Sequence, residues 1–249
     1  MPSNLKLTVA YDGTAYLGWQ KNNTKNSIEE TLQSVLQRIL HEECVLQAAS
    51  RTDTGVHAKG QIVNFYTHKP DLNLQKLKYS LNCLLPKDIA VTDIECVLEG
   101  FHPTLDCVSK EYHYSICYGA LQQPQHRLYS WHYSYALDIA RMREAAAHFV
   151  GAHDFTSFCN YKITHSYSSY IRTIEKIEIV ELAEKRLNIQ IRGNNFLYRM
   201  ARNLAGTLLH VGCGKIPLEN IPVILSSKDR TLAGITAPAH GLCLMRVDY

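Results

Sequence analysis

The sequence lacks any continuous apolar segment approaching the roughly 20 residues that a membrane-spanning helix requires. It also lacks a Cys-x-x-Cys pair and a cluster of His and Cys at metal-ligand spacing, although 8 cysteines are scattered among its 249 residues. This spacing predicts neither a zinc site nor a disulfide scaffold. Because the first residues contain no apolar signal region, we expect a soluble cytoplasmic protein with reduced thiols.

Low-complexity segments and a large excess of one charge are also absent. The hydrophobic content of 46% is high enough to build a core, so intrinsic disorder is not expected. The formal net charge of +3 permits a polyanionic partner without requiring one. Charge alone therefore does not separate a nucleic-acid-binding protein from an enzyme that acts on a small neutral substrate.

Hydrophobic periodicity predicts the element order β-α-β-β-α-β in the first half of the chain. Ser27 and Glu30 form an S-x-x-E capping box before the first helix, and Asn73 is the expected N-cap of the second helix, which Pro86 ends. The predicted elements are a strand at 5–11, a helix after Ser27, strands at 44–49 and 61–65, a helix from Asn73 to Pro86 and a strand at 89–98.

The second half is predicted to repeat this order with different lengths. Its predicted elements are strands at 108–118 and 130–135, a helix at 138–150, strands at 171–182 and 187–191, helices at 195–211 and near 218–225, and a strand at 242–247. We therefore predict an α+β fold of two tandem ferredoxin-like units with mainly antiparallel sheets, divided into residues 1–103 and 104–249. The two sheets would form a central cleft.

The segment from Arg51 to Ala58 is the most informative one for chemistry. It places Asp53 between cationic and turn-forming residues, on the predicted loop of a β-hairpin. Asp53 is therefore a candidate nucleophile, although a plain surface turn explains the same pattern. The D-T-G of aspartic proteases is discarded because that site needs a second such aspartate. A phosphate loop at Gly212–Lys215 is discarded because Leu209 replaces its first glycine.

Two further segments carry candidate binding residues. In the predicted strand at 108–118, Lys110 and Tyr112 share a face, where an aromatic hydroxyl at a cleft edge can stack on a nucleobase. A buried core tyrosine explains Tyr112 equally well. In the predicted helix at 195–211, helical spacing places Arg199 and Arg202 on one face. Such arginines can hold a carboxylate ionised or bind a phosphate, but they are also common on a solvated face.

Five segments occur in the order found in the tRNA pseudouridine synthase A family, and together the sequence resembles that family along nearly its whole length. The segments are Tyr11–Gln20, Arg51–Gln61, Lys110–Tyr114, Phe196–Asn203 and Ala237–Leu242. The resemblance implies a homodimer of two tandem ferredoxin-like units without cofactor or metal. It also implies an isomerase that converts uridine to pseudouridine at positions 38, 39 and 40 in the tRNA anticodon stem and loop.

The resemblance also implies roles for individual residues. Asp53 matches the nucleophile of the family, Arg51 belongs to the same motif, Tyr112 matches the tyrosine that stacks on the target base, and Arg202 is similar to the basic partner of the aspartate. The sequence departs from the family at Ser50, Thr54 and Ala201, which affects loop geometry rather than the reacting groups.

Several points stay open at the level of sequence. Asp53 can add to the base, add to the ribose or remove a ribose proton. Extrusion of the uridine costs a few kcal/mol, which stacking and phosphate contacts would offset. The basic surface is expected to include Arg51, Lys59, Lys110, Arg199 and Arg202. The alternative hypothesis is a noncatalytic protein that binds structured RNA; the absence of the paired aromatic motif of single-strand binders makes it weaker.

Overall fold

The computed structural model describes residues 2–24, 26–161 and 167–249. Within these ranges the protein is a mixed α+β structure with five α-helices and mainly antiparallel strands, as the sequence predicts for the fold class. The chain divides into two compact units. Unit 1 comprises Met1–Val108 and Cys243–Tyr249, and unit 2 comprises Ser109–Leu242.

The sheet of unit 1 is built around β1 (Ser3–Tyr11). The other strands of its first segment are β2 (Gln47–Ala48), β3 (His57–Thr67) and β4 (Ile89–Val97). Both β3 and β4 pair antiparallel with β1, and β2 pairs antiparallel with β3. The strand predicted at 44–49 is therefore only two residues long, whereas the strand predicted at 61–65 extends to 11 residues and begins directly after the Asp53 loop.

Two helices complete unit 1, and both begin at the caps that the sequence predicts. In α1 (Ile28–Leu40), the Ser27 hydroxyl accepts a hydrogen bond from the Glu30 amide at 3.2 Å. In α2 (Leu74–Leu84), the Asn73 side chain accepts from the Lys76 amide at 2.9 Å. Each cap satisfies an amide that the helix itself leaves without a partner. The apolar faces of both helices are buried, and Leu32 of α1 and Leu81 of α2 are fully excluded from solvent.

The sheet of unit 2 contains five strands in its described part. They are β5 (Ser109–Tyr118), β6 (Trp131–Tyr133), β7 (Gly151–Asp154), β8 (Ile171–Leu182) and β9 (Arg186–Gly193). The strand order is β5-β9-β8-β7 with antiparallel pairing throughout, and β6 pairs parallel with β5. Strand β7 was not expected from the sequence, because four residues are too few to show an alternating pattern.

The helices of unit 2 are α3 (Ile139–Ala147), α4 (Met200–Gly212) and α5 (Ile221–Ser227). Helices α3 and α4 pack closely at Gly212, where a Cβ atom would lie 2.6 Å from the Met142 sulfur. The final strand, β10 (Leu242–Asp248), pairs parallel with β3, with Cys243 opposite His57. Most of β10 thus belongs to unit 1, whereas the division predicted from sequence assigned it to the second domain.

The predicted helix at 195–211 is wrong at its beginning, because α4 starts at Met200. Arg199 precedes the helix with φ of 62°, a left-handed conformation that α-helices do not contain. The amides before it have other partners: the Phe196 amide donates to the Asn195 side chain at 2.9 Å, and the Tyr198 amide donates to the Tyr167 hydroxyl at 2.9 Å. Arg199 therefore does not share a helical face with Arg202. Among the described residues, no helix combines the length and hydropathy needed to cross a membrane.

Candidate functional site

Asp53 lies in unit 1 on the loop between β2 and β3, as the hairpin prediction requires. The Val56 amide donates to the Asp53 carbonyl at 3.1 Å and closes a turn over Thr54 and Gly55. Gly55 has φ of 78°, which a glycine adopts without steric cost. Asp53 is half-buried, and Arg51 is exposed. The turn therefore presents a carboxylate from a short segment with a defined backbone conformation.

Gln61 holds the loop on its N-terminal side. Its side-chain amide donates to the Ser50 carbonyl at 2.6 Å, and its oxygen accepts from the Ser50 amide at 3.2 Å. Gln61 has no exposed surface, so its own side-chain amide depends on protein partners for its hydrogen bonds. Ser50 lies three residues before Asp53, and the Gln61 side chain thus binds both its amide and its carbonyl group.

Thr52, the residue directly before Asp53, is fixed through both its side chain and its backbone. Its hydroxyl lies 2.7 Å from the Tyr11 hydroxyl, and its carbonyl accepts from the Trp19 amide at 3.0 Å. Gly18 approaches so closely that a Cβ atom there would lie 2.7 Å from the Thr52 carbonyl oxygen. These contacts connect the Asp53 loop to the end of β1 and to the chain segment that follows β1.

Gly13 holds the loop on its C-terminal side. Its amide donates to Nδ1 of His57 at 3.1 Å, and a Cβ atom at this position would lie 2.0 Å from the Val56 carbonyl oxygen. Because the neighbour is backbone in a buried residue, it cannot rotate away as a flexible side chain could. The loop that carries Asp53 is therefore fixed at both ends, a requirement for a nucleophile that must meet its target in one geometry.

Replacement of Gln61 by Leu tests how much this support contributes. We expect turnover to fall by about 10-fold and the free energy of unfolding to fall by about 1–3 kcal/mol, because both Ser50 backbone groups lose a buried partner. The measurement is the initial catalytic rate together with thermal unfolding. Gln75 is the matched control because it is exposed on α2, and Gln75→Leu is expected to leave both quantities unchanged. Unaltered turnover by Gln61→Leu would show that the loop does not need this contact.

Unit 2 carries Lys110 and Tyr112 on the same face of β5, as the alternation predicts, and both side chains are buried. Tyr112 is 6% exposed and meets the Phe196 ring edge to face, with ring centroids 4.9 Å apart. Lys110 is 4% exposed, and its Nζ donates to Oδ1 of Asn195 at 3.2 Å. The segment just before α4 therefore fixes both side chains.

The two arginines near the start of α4 have different surroundings. The Arg199 guanidinium lies over the Tyr198 ring at 4.9 Å from its centroid, and Arg199 itself has the left-handed backbone described above. Arg202 lies in the first turn of α4, half-buried, and its Nε donates to the Ala237 carbonyl at 2.7 Å. The two arginines thus have different backbone conformations and different contacts, whereas helical spacing had placed them on one helical face.

Tyr114 is an additional polar group on the buried face of β5. Its hydroxyl donates to the Pro238 carbonyl at 2.8 Å, and burial raises the pKa of the phenol far above its ordinary value, although the charge of Arg202 opposes this shift. The phenol therefore stays protonated and keeps its role as a donor at neutral pH. Tyr114 anchors the same chain segment that binds Arg202.

Several residues that support the site were not assigned a role from sequence. Gln61, Tyr11 and Gly13 all lie in the matching segments, yet only Gln61 carried a local signal, as a polar residue at the edge of an apolar strand. The contacts themselves join residues 11 to 50 positions apart. Among the described residues, no three His, Cys, Asp or Glu side chains are grouped closely enough to hold a metal ion.

Comparison with known proteins places the chain in a family. A family model described as "tRNA pseudouridine synthase" matches residues 7–103 and 145–249. The chain is 52% identical over 246 residues to "tRNA pseudouridine synthase A 2" of Protochlamydia amoebophila, covering 99% of this chain and 94% of that protein. It is 44% identical to "tRNA pseudouridine synthase A" of Thermoanaerobacter sp. (strain X514), covering 99% of each.

Among solved structures, a chain of a Cbf5-Nop10-Gar1 complex is similar, with a TM-score of 0.38 and 15% identity over 96% of this chain and 48% of that chain. The two relatives above match nearly the full length of the sequence. The chain therefore belongs to the tRNA pseudouridine synthase family, which is a family of isomerases.

Proposed function

We propose that this protein isomerises uridine to pseudouridine at positions 38, 39 and 40 in the anticodon stem and loop of tRNA, with Asp53 as the nucleophile. The observation that carries the proposal is the fixed geometry of the Asp53 loop in a chain of this family. Gln61, Thr52 and Gly13 hold the backbone on both sides of the carboxylate. A residue on an ordinary surface turn would not need three buried supports.

The chemistry matches the side chains that the proposal uses. The reaction breaks the bond between N1 of uracil and C1′ of ribose, rotates the uracil and forms a bond between C5 and C1′. The C5 hydrogen leaves as a proton and N1 gains one, so the product is an isomer. No electron is gained or lost overall and no external group is transferred, so the reaction requires neither a redox cofactor nor a group donor. With a carboxylate as the nucleophile, the proposal includes no cofactor and no metal. A carboxylate is a sufficient nucleophile for such a step.

The residues of unit 2 are assigned roles in the same proposal. Tyr112, whose ring orientation is set by Phe196, stacks on the extruded base. Arg202 is the basic partner of the Asp53 carboxylate. The exposed Arg51 and the half-buried Arg199 contact the RNA backbone, because guanidinium groups bind phosphate oxygens. Lys110 was expected on the same basic surface, but it is 4% exposed and bonded to Asn195, so its role in the proposal is to hold the segment before α4 beside Tyr112.

We also propose the arrangement that the family resemblance implies. The order of elements in the first segment of unit 1 is β1-α1-β2-β3-α2-β4, which is the order of a ferredoxin-like unit. The proposal is two tandem ferredoxin-like domains at 1–103 and 104–249, with the final strand β10 paired into the sheet of the first. It also includes a homodimer and a cytoplasmic location where tRNA is available. Sedimentation of the purified protein with and without tRNA measures the oligomeric state directly.

The reaction is tested with unmodified tRNA labelled with tritium at C5 of uridine. We expect release of tritium on incubation with the purified protein, and pseudouridine at positions 38, 39 and 40 when the product is mapped. A tRNA with cytidine at these positions is the control and should release none. A stable stoichiometric complex without product would instead support a noncatalytic RNA-binding protein, and product at other positions would contradict the proposed site.

A further inference from the structure

The chain segment 230–237 follows α5, and its first residue, Arg230, binds the segment to the first turns of α4. Its Nη1 donates to the Gly234 carbonyl at 2.8 Å. Its Nη2 donates to Oδ1 of Asn203 at 2.9 Å and to the Thr236 hydroxyl at 3.0 Å. The planar guanidinium therefore bridges acceptors on the segment and on the helix, which a lysine ammonium could not match in geometry.

Asn203 is the point on α4 where these bonds converge. Its Oδ1 accepts from Arg230 and from the Thr236 hydroxyl, the latter at 2.7 Å. Its Nδ2 donates to the Phe158 carbonyl at 2.7 Å and to Oδ1 of Asn160 at 2.8 Å. The side chain is fully buried and makes the four hydrogen bonds that an amide can make. A buried amide whose four hydrogen bonds are all made has one preferred orientation.

The 230–237 segment also packs against the backbone of α4 at two glycines. A Cβ atom at Gly206 would lie 1.8 Å from the Ile235 carbonyl oxygen, and one at Gly234 would lie 2.5 Å from the Thr207 Cα. The Gly234 amide donates to the Thr207 hydroxyl at 2.9 Å. The position of the segment relative to the helix is thus set by both close packing and hydrogen bonds.

The segment ends at the residue that binds Arg202. The Ala237 carbonyl accepts from Nε of Arg202 at 2.7 Å, and the Ala237 amide donates to the Arg202 carbonyl at 3.2 Å. A bond at Nε restricts the rotation of the guanidinium plane, so the direction of its other two nitrogens depends on where Ala237 lies. Ala237 directly follows Thr236, one of the acceptors of Arg230.

We propose that Arg230 is a positioning residue for the isomerisation: it holds the 230–237 segment on α4 and thereby sets the orientation of the Arg202 guanidinium. The inference rests on the proposed function, in which Arg202 is the basic partner of Asp53. Arg230 acts through Arg202 and does not itself contact the tRNA. Its contribution is therefore to the reacting geometry and not to substrate affinity.

The test is a double-mutant cycle measured as kcat and KM on tRNA. We expect Arg230→Gln to lower kcat by about 10- to 100-fold with KM within about twofold, because misorientation of a reacting group affects the chemical step. The second background is Arg202→Lys, which keeps a positive charge but has no Nε–H for Ala237. In that background Arg230→Gln is expected to lower kcat by less than about twofold, because the group it positions is gone.

Controls separate positioning from general stability. Arg141→Gln is the matched control, since Arg141 lies in the same unit with its side chain 61% exposed, and its kcat should equal that of the original protein. Thr236→Val removes fewer hydrogen bonds from the network, and its loss of kcat should likewise be smaller in the Arg202→Lys background. If Arg230→Gln does not fold, Thr236→Val takes its place in the cycle. Arg230→Lys should restore only part of the lost kcat.

The outcomes are distinguishable. Equal losses from Arg230→Gln in both backgrounds would overturn the inference, because a merely structural role is independent of residue 202. Slow turnover by Arg202→Lys with unchanged turnover by Arg230→Gln would overturn this inference alone. Full turnover by Arg202→Lys would show that the reaction does not need the Arg202 guanidinium, and it would therefore overturn the positioning role of Arg230 as well. Formation of pseudouridine by these variants would still support the proposed reaction.

Discussion

Replacement of Asp53 by Asn is expected to reduce tritium release from tRNA uridine by about 10⁴-fold, because a neutral amide cannot act as the nucleophile. The substitution preserves side-chain volume. The loop contacts described above involve the Asp53 carbonyl, Thr52 and the Ser50 backbone, and the substitution keeps all of these groups. Binding of tRNA should therefore stay within about threefold of the original affinity, since phosphate contacts supply most of that free energy.

Single-turnover rates and a filter-binding titration on the same preparation measure the two quantities separately. Asp93 provides the matched control: it is an exposed aspartate on β4 of the same unit, and Asp93→Asn should be indistinguishable from the original protein in both assays. Asp53→Glu should also be strongly impaired, because one additional methylene moves the carboxylate away from its target. Turnover by Asp53→Asn within about 10-fold of the original rate would refute the assignment of Asp53 as nucleophile.

The helices of unit 1 show how much of the fold is encoded locally. Ser27 and Asn73 cap the helices that the sequence predicts, and each cap is a contact between residues only three positions apart. The apolar spacing that follows each cap then identifies the buried face without knowledge of the tertiary structure. The location of Asp53 on a hairpin loop was predictable for the same reason, since the loop lies between apolar strand segments.

Features that depend on distant contacts could not be predicted in this way. Arg199 adopts a left-handed conformation without the glycine that usually signals it, so helical spacing extended α4 too far toward the N-terminus. The pairing of β10 with β3 joins residues 186 positions apart, Cys243 with His57, and no local pattern specifies such a pairing. In the candidate site, the sequence indicated the reacting residue Asp53. It did not indicate the distant residues, such as Gln61 and Gly13, that hold the backbone around Asp53.

Replacement of Gly13 by Ala is expected to lower both stability and turnover strongly, although residue 13 is not a reacting group. The new methyl carbon would lie 2.0 Å from the Val56 carbonyl oxygen and 2.7 Å from its carbonyl carbon, far inside van der Waals contact. Since Val56 closes the turn on Asp53, the backbone must shift at the loop itself. We expect the free energy of unfolding to fall by about 1–3 kcal/mol and kcat to fall by about 100-fold.

Gly100→Ala is the matched control, because no atom lies within 4 Å of a Cβ built at Gly100, which belongs to the same unit. It should leave kcat unchanged and either preserve or raise stability, by up to about 1 kcal/mol through the entropy of the unfolded chain. Rates are to be measured well below the unfolding temperature, so that loss of folded protein does not count as loss of kcat. If Gly13→Ala then turns over at the original rate, the close approach of Gly13 serves stability alone. A loss of kcat in the folded protein would instead show that the backbone of this loop sets the position of the Asp53 carboxylate.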